Sequence, residues 1–310
     1  MKLIRGSGII VHPTSFPGPF GIGDLGPGAM TVLDYLAASK QKYWQVLPLH
    51  PTGFGNSPYA TLSAFAGNPL MISPERLLEH GLLTREELSG HPVFPGRQVD
   101  FGPVIAWKTT VLHRSFSRFI ANSHAFCTLR EQFEAFGYKQ RDWLEDYALF
   151  AALKAAHHGA AWTEWDADLA ARKPEALARA RQTLVEQVTF QRYLQFCFFS
   201  QWADIRRAAE ERQLAIIGDM PIFIAQDSAD VWAQRELFQL DESGRPLVVA
   251  GVPPDYFSSS GQRWGSPLYR WEVLRETGYA WWIARVRRAL ELEDVIRLDH
   301  FRGFHKYWEI

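Results

Sequence analysis

Four short apolar runs, at residues 8–12, 44–49, 214–223 and 295–298, most limit what this chain can fold into. They are nearly continuous in hydrophobicity rather than alternating, the pattern of strands buried on both faces of a parallel sheet. A helical segment over 29–39, preceded by Gly/Pro turn material at 17–28, separates the first two runs. Residues 74–212 are helix-patterned and charged, clearest at 143–155 and 175–209, and read as an inserted helical region. Residues 241–267 are rich in Gly, Pro, Ser and aromatics, a loop composition rather than helix or strand, and a long ordered loop of that kind is a functional candidate. Alternating helices and buried strands predict an α/β barrel or an open doubly wound sheet. The expected divisions are 1–73, 74–212 and 213–310.

Charge and cysteine content narrow the function. The 33 basic and 34 acidic side chains nearly cancel, so no electrostatic excess seeks nucleic acid or anionic lipid. Cys127 and Cys197 have no metal-ligand spacing and form no disulfide framework, which favours a reducing compartment; the cytoplasm is the expectation. The run Ile9-Ile10-Val11 is too short for a signal segment, and no apolar stretch of about 20 residues suits a membrane span. The chain has 12 Trp, most of them expected in the core and the rest candidates for stacking on a flat ligand.

Chemistry is expected at the carboxyl ends of parallel strands, where the sequence carries His12 and Thr14, Asp219, and Asp299 and His300. Strand alternation puts Arg297 and Asp299 on one face, so the guanidinium keeps the carboxylate ionised. An ionised, positioned carboxylate suits a glycosidic nucleophile, and a structural Arg–Asp pair explains the spacing equally well. Gly21-Ile22-Gly23-Asp24-Leu25-Gly26 matches GxGxxG but lacks the tight strand-to-helix turn and the acidic residue about 20 positions on; it reads as a loop whose backbone packs closely. Gly55-Asn56-Ser57-Pro58-Tyr59 and Gly261-Gln262-Arg263-Trp264-Gly265 together offer hydroxyl, amide and aromatic groups, the mixture that binds sugar rings.

In these segments the chain resembles the amylomaltase or disproportionating-enzyme family of 4-α-glucanotransferases. The likeness runs through His12-Pro13-Thr14-Ser15, Trp44-Gln45-Val46-Leu47-Pro48-Leu49, Asn56-Ser57-Pro58-Tyr59, Ala66-Gly67-Asn68-Pro69, Gly218-Asp219-Met220-Pro221-Ile222-Phe223, Gly251-Val252-Pro253-Pro254-Asp255-Tyr256-Phe257 and Arg297-Leu298-Asp299-His300-Phe301-Arg302-Gly303. The resemblance implies the first half of an α-amylase-like (β/α)8 TIM barrel with a large, mostly helical insertion, stopping after the fourth strand. It puts the catalytic nucleophile on Asp299 with Arg297 beside it. Its sugar contacts fall on Ser57, Tyr59, Asp219, Asp255, Gln262, Trp264 and His300.

His50 stands where the family usually has Gly, and Ser266 where it usually has Asn. The family's general acid/base Glu and a further essential Asp belong to later strands, beyond Trp308-Glu309-Ile310. The implied activity is transfer of α-1,4-glucan segments between maltooligosaccharides by retaining double displacement, with no cofactor or metal and with residues 253–264 covering the site against water. This chain is expected to be inactive alone for want of the acid/base Glu. The alternatives are a non-catalytic glucan-binding fragment and a half barrel that cannot fold by itself.

Overall fold

The computed structural model describes residues 4–122, 124–256 and 258–310; Phe257, the last residue of the 251–257 motif, lies outside them. Seven strands occur among the described residues: β1 (Gly8–Ile10), β2 (Tyr43–Gln45), β3 (Ala215–Pro221), β4 (Val249–Val252), β5 (Gln262–Pro267), β6 (Val295–Asp299) and β7 (Trp308–Glu309). Five helices set the site in place: α1 (Pro27–Ala38), α2 (Phe101–Ala121), α3 (Cys127–Ala156), α4 (Val185–Glu211) and α5 (Ala280–Leu292).

Strands β1, β2, β3 and β6 pair in that order, all parallel, and each overlaps one of the four apolar runs. Helices separate them in the chain, as parallel pairing requires. Burial is less even than the sequence pattern suggests. Every residue of β3 is buried or half-buried, whereas Ile10 in β1 is 63% exposed and Arg297 in β6 is also exposed. The reason is position: β3 has a neighbour on each side and helices over it, while β1 and β6 are the edges of this sheet.

Helix α1 starts with Pro27 in its first turn, where the missing N–H is no loss. It buries Ala29, Leu33 and Leu36, spaced at i, i+4 and i+7, in the core that holds Trp44 and Ile216. The 175–209 stretch is two helices, Pro174–Thr183 and α4, which meet at Leu184. Helix α4 packs on α1, α3 and β3, so the last helix of the 74–212 region covers the parallel sheet itself.

The segment after β2 is pinned by buried polar groups. From α4, Gln195 donates to and accepts from the backbone of Gly67, and Gln201 does the same at Ser73. From α2, the Lys108 ammonium donates to the Leu70 and Ile72 carbonyls at 2.7 and 2.9 Å and pairs with Asp24 at 3.2 Å. Burial pushes the Lys108 pKa down while Asp24 pulls it back up. With three partners the buried charge is compensated rather than orphaned. The Ala66-Gly67-Asn68-Pro69 motif is thus a structural latch: a Cβ on Gly67 would sit 2.0 Å from the Phe198 ring. Gly23 is similar, since a Cβ there would meet the Pro13 carbonyl oxygen at 2.1 Å, which agrees with a closely packed loop at 21–26.

The 241–267 segment departs from its loop composition. It contains β4 and β5, which with β7 form an antiparallel sheet in the order β5-β4-β7. Glycines conceal the strands: Gly251 takes no side chain because a Cβ would lie 2.6 Å from the Gln262 carbonyl oxygen, and the ladder shifts register between Val249 and Gly251. Of the 12 Trp, all but Trp264 and Trp308 are buried or half-buried.

Candidate active site

The chemistry gathers where β3 and β6 end. Their register sets Asp219 opposite Arg297 and Pro221 opposite Asp299, and strand alternation brings Asp219, Arg297 and Asp299 to one face. The Arg297 guanidinium then forks: Nη1 donates to both Asp219 oxygens at 2.9 Å, and Nη2 donates to Asp299 Oδ1 at 2.8 Å. Tyr59, carried by the chain after β2, donates its hydroxyl to Asp219 Oδ2 at 2.9 Å.

The two carboxylates differ in exposure. The Asp219 side chain is fully buried, whereas that of Asp299 is 39% exposed. Burial pushes the Asp219 pKa up, and the Tyr59 hydroxyl and the Arg297 guanidinium hold it down. Burial, together with the Asp219 carboxylate, raises the Tyr59 pKa to about 12, so the phenol stays a hydrogen-bond donor. Asp219 therefore braces the arginine from below, and the arginine presents Asp299 to solvent. Asp299 Oδ2 takes no hydrogen bond among the described residues.

Asp299 and His300 open onto a cavity of about 610 Å³ whose wall also includes Ser57, Tyr59, Gln262 and Trp264. Six of the expected site residues thus share one cavity. Trp264 donates its indole N–H to Gln262 Oε1 at 3.0 Å and stands edge-on to His300 with ring centroids 5.0 Å apart. His300 has left-handed backbone (φ 51°), and its Nε2 is buried with no partner among the described residues.

Asp255 lies apart from this cavity wall. Its carboxylate accepts from the Ser258 backbone N–H at 2.8 Å, a turn-forming role at the tip between β4 and β5. His12 and Thr14 also stay outside the wall. His12 Nδ1 accepts from the Thr14 backbone N–H and pairs with its hydroxyl, while Nε2 faces the Pro48 carbonyl oxygen. Burial lowers its pKa to about 4, so it is a neutral turn-maker at pH 7.

The wall also holds Phe54, Phe223, Gln226 and Asp227, of which Phe223 alone falls within a sequence motif, and none was expected as a site residue. For the last three the available signal was continuity, since they continue the chain beyond β3. Asp227 is paired with Lys154 of α3. A larger cleft, about 1210 Å³ around Trp202, Arg206 and Asp294, lies at the opposite end of β3 and β6, away from where parallel sheets place chemistry. Among the described residues no group of three or more His, Cys, Asp or Glu is placed to hold a metal ion. No described helix is long and apolar enough to cross a membrane.

The parallel sheet thus carries a carboxylate–guanidinium cluster at its carboxyl end, facing an aromatic-walled cleft. The family described as 4-alpha-glucanotransferase matches residues 11–310, and the chain belongs to that family. It is 51% identical to a 4-alpha-glucanotransferase of Thermus thermophilus over all of this chain and 61% of that relative. It is 42% identical to the chloroplastic/amyloplastic 4-alpha-glucanotransferase of Solanum tuberosum over 99% of this chain and 53% of that one. An amylomaltase from Streptococcus agalactiae, solved with acarbose, superposes with a TM-score of 0.94 at 37% identity, covering 99% of this chain and 61% of that one. The chain therefore spans between 53% and 61% of the length of these relatives.

Proposed function

We propose that the chain carries the nucleophile side of a 4-α-glucanotransferase that moves α-1,4-glucan segments between maltooligosaccharides with retention. The observation that carries this reading is Asp299: a cavity-facing carboxylate held by a guanidinium that a buried carboxylate and a tyrosine brace from behind. Acarbose in the Streptococcus agalactiae amylomaltase supports a glucan-like ligand.

In the proposed reaction a carboxylate oxygen of Asp299 attacks the anomeric carbon. The glycosidic C–O bond breaks, its electron pair leaves with the departing glucan's oxygen, and a general acid protonates that oxygen. The second step reverses the first, an acceptor hydroxyl losing its proton to the same group and displacing Asp299. Retaining chemistry wants its two carboxyl groups about 5–5.5 Å apart. Asp219, buried and fully engaged by Arg297 and Tyr59, is a brace and no acid. We assign the acid/base to the Glu that the resemblance puts beyond the fourth strand, and β1, β2, β3 and β6 to the first half of a (β/α)8 barrel. Their unbroken parallel order and two open edges support that assignment. The divisions at 73/74 and 212/213 belong to the same reading, as does a cytoplasmic setting, which agrees with two cysteines that form no disulfide.

Incubation with maltotriose tests this. With the acid/base absent, the 310-residue chain should form glucose and longer maltodextrins roughly 10²- to 10⁴-fold more slowly than the Thermus thermophilus relative. Rates equal to the relative's would overturn the external acid/base. Failure of the chain to bind maltoheptaose would overturn the glucan reading.

A further inference from the structure

Helix α5 buries two arginines one turn apart, Arg285 and Arg288, and aims them at different places. Arg288 donates Nε to the Phe65 carbonyl oxygen at 3.2 Å and pairs with Glu291 of its own helix. Arg285 turns to the end of β3. Its Nη2 donates to the Pro221 carbonyl oxygen, and its Nη1 to the Ile222 carbonyl oxygen at 3.1 Å and to the Tyr269 hydroxyl oxygen at 3.3 Å. Tyr269, just beyond β5, donates its own hydroxyl to the same Ile222 carbonyl at 2.8 Å. No backbone N–H among the described residues reaches that carbonyl. The chain at Ile222 is therefore held by two side chains, one from the helix layer and one from beyond the second sheet.

What these bonds fix lies beside Asp299. Pro221 is in register with Asp299. Phe223 lines the cavity, its ring stacked on Tyr269 with centroids 6.1 Å apart and with the Trp264 and His300 rings at 6.3 and 6.5 Å. The charge of Arg285 is met by carbonyl and hydroxyl dipoles and by the faces of Trp281 and Trp282, while the buried Asp230 attracts it at longer range. Taking a guanidinium out of water is costly unless its hydrogen bonds are made, and one that spends them on consecutive carbonyls fixes backbone. We propose that Arg285 is a positioning residue for the proposed transfer reaction: by holding the Pro221 and Ile222 carbonyls from behind, it sets the strand end opposite Asp299 and the wall at Phe223, and so the geometry in which a sugar meets the nucleophile. The role is indirect, since Arg285 is no part of the cavity wall. This inference rests on the reading of Asp299 as nucleophile.

The test is the single-turnover rate of ester formation at Asp299 from saturating α-maltosyl fluoride, whose leaving group departs without a proton. It is read by mass spectrometry on the 310-residue chain, below the unfolding temperature of each variant. Arg285→Met should slow this rate about tenfold, part of the roughly 100-fold that a misplacement of about 1 Å costs. Arg285→Lys keeps a donor for the carbonyls without the planar fork and should recover part of the loss. Tyr269→Phe keeps the ring against Phe223 and should slow the rate by less than Arg285→Met does. Arg288→Met removes an equally buried guanidinium from the same helix; it should lower the unfolding temperature and leave the rate unchanged. If Arg285 only stabilises the fold, Arg285→Met behaves as Arg288→Met does, and the proposal is overturned while the nucleophile reading stands. Equal slowing in both variants overturns it as well. Should Arg285→Met fail to fold, native rates in both Arg285→Lys and Tyr269→Phe overturn the proposal, and slowing in both supports it. A native chain that forms no ester overturns the nucleophile reading and the proposal with it.

Discussion

Two sheets meet at one cavity and are built on opposite principles. The parallel sheet brings Asp219 on β3, a strand buried or half-buried throughout and sandwiched between β2 and β6, and Arg297 and Asp299 on the edge strand β6. The antiparallel sheet brings Gln262 and Trp264 on β5, whose first three residues are exposed, next to a tip where Tyr256 is 98% exposed. Charge that must hold one geometry is anchored through the buried Asp219, to which Arg297 and through it the more exposed Asp299 are bonded. Aromatic and amide groups that must meet a ligand of varying length sit on the exposed one. This division agrees with the general location of local flexibility, in segments with few buried contacts.

Breaking the buried side should cost the most. Arg297→Met leaves the Asp219 carboxylate with Tyr59 as its one side-chain partner among the described residues, and should destabilise the fold by about 1.5–3 kcal/mol, the range for a hydrogen bond to a charged group. The Arg297 side chain is 48% exposed, so solvent screening keeps the loss below that of a fully buried pair. Adding Asp219→Asn should recover part of it, because the uncompensated charge is then gone. Urea unfolding of the single and double variants measures both; a double variant weaker than either single would break the brace account.

The next effect is a pH dependence on the same sheet. Glu293 precedes β6 and lies against Gly218 of β3, where a Cβ would come 2.3 Å from its carboxyl carbon. Burial raises its pKa from 4.5 to about 8; Arg206 and Arg288 oppose the rise, and Asp219 and Asp294 add to it. The native state thus keeps a proton that the unfolded chain releases. Stability from this group is full below about pH 4.5 and is lost as pH rises through about 8, with a slope of up to about 1.4 kcal/mol per pH unit. Glu293→Gln should flatten that slope. An unchanged pH profile would show that Glu293 is not the titrating group.

On the exposed side, Trp264→Ala should weaken maltoheptaose binding by about tenfold, in the range of an aromatic contact, and change unfolding stability by less than about 0.5 kcal/mol, since Trp264 is 40% exposed. A large loss of stability would erase the contrast between the two sheets.

The parts of this arrangement legible from sequence were those with local periodicity. The four parallel strands announced themselves as apolar runs, and alternation alone paired Arg297 with Asp299. Neither the Asp219–Arg297 bond, spanning 78 positions, nor the Tyr59–Asp219 bond, spanning 160, has a local signature. Strands β4 and β5 were hidden because Gly251 and Gly265 are needed there for close approach and for left-handed backbone, which reads as loop composition. Asp255, a motif residue, forms a turn at the tip between β4 and β5, a contact the motif alone does not announce.

On the proposed reading, Asp299 and its braces form the glycosyl ester without any group outside these 310 residues. An α-maltosyl fluoride donor tests this, because fluoride departs without a proton and the step then needs no general acid. Mass spectrometry of the treated chain should find a maltosyl ester mapped to the peptide containing Asp299, and no adduct in Asp299→Asn. An unmodified chain, or an adduct on another carboxylate, would contradict the account.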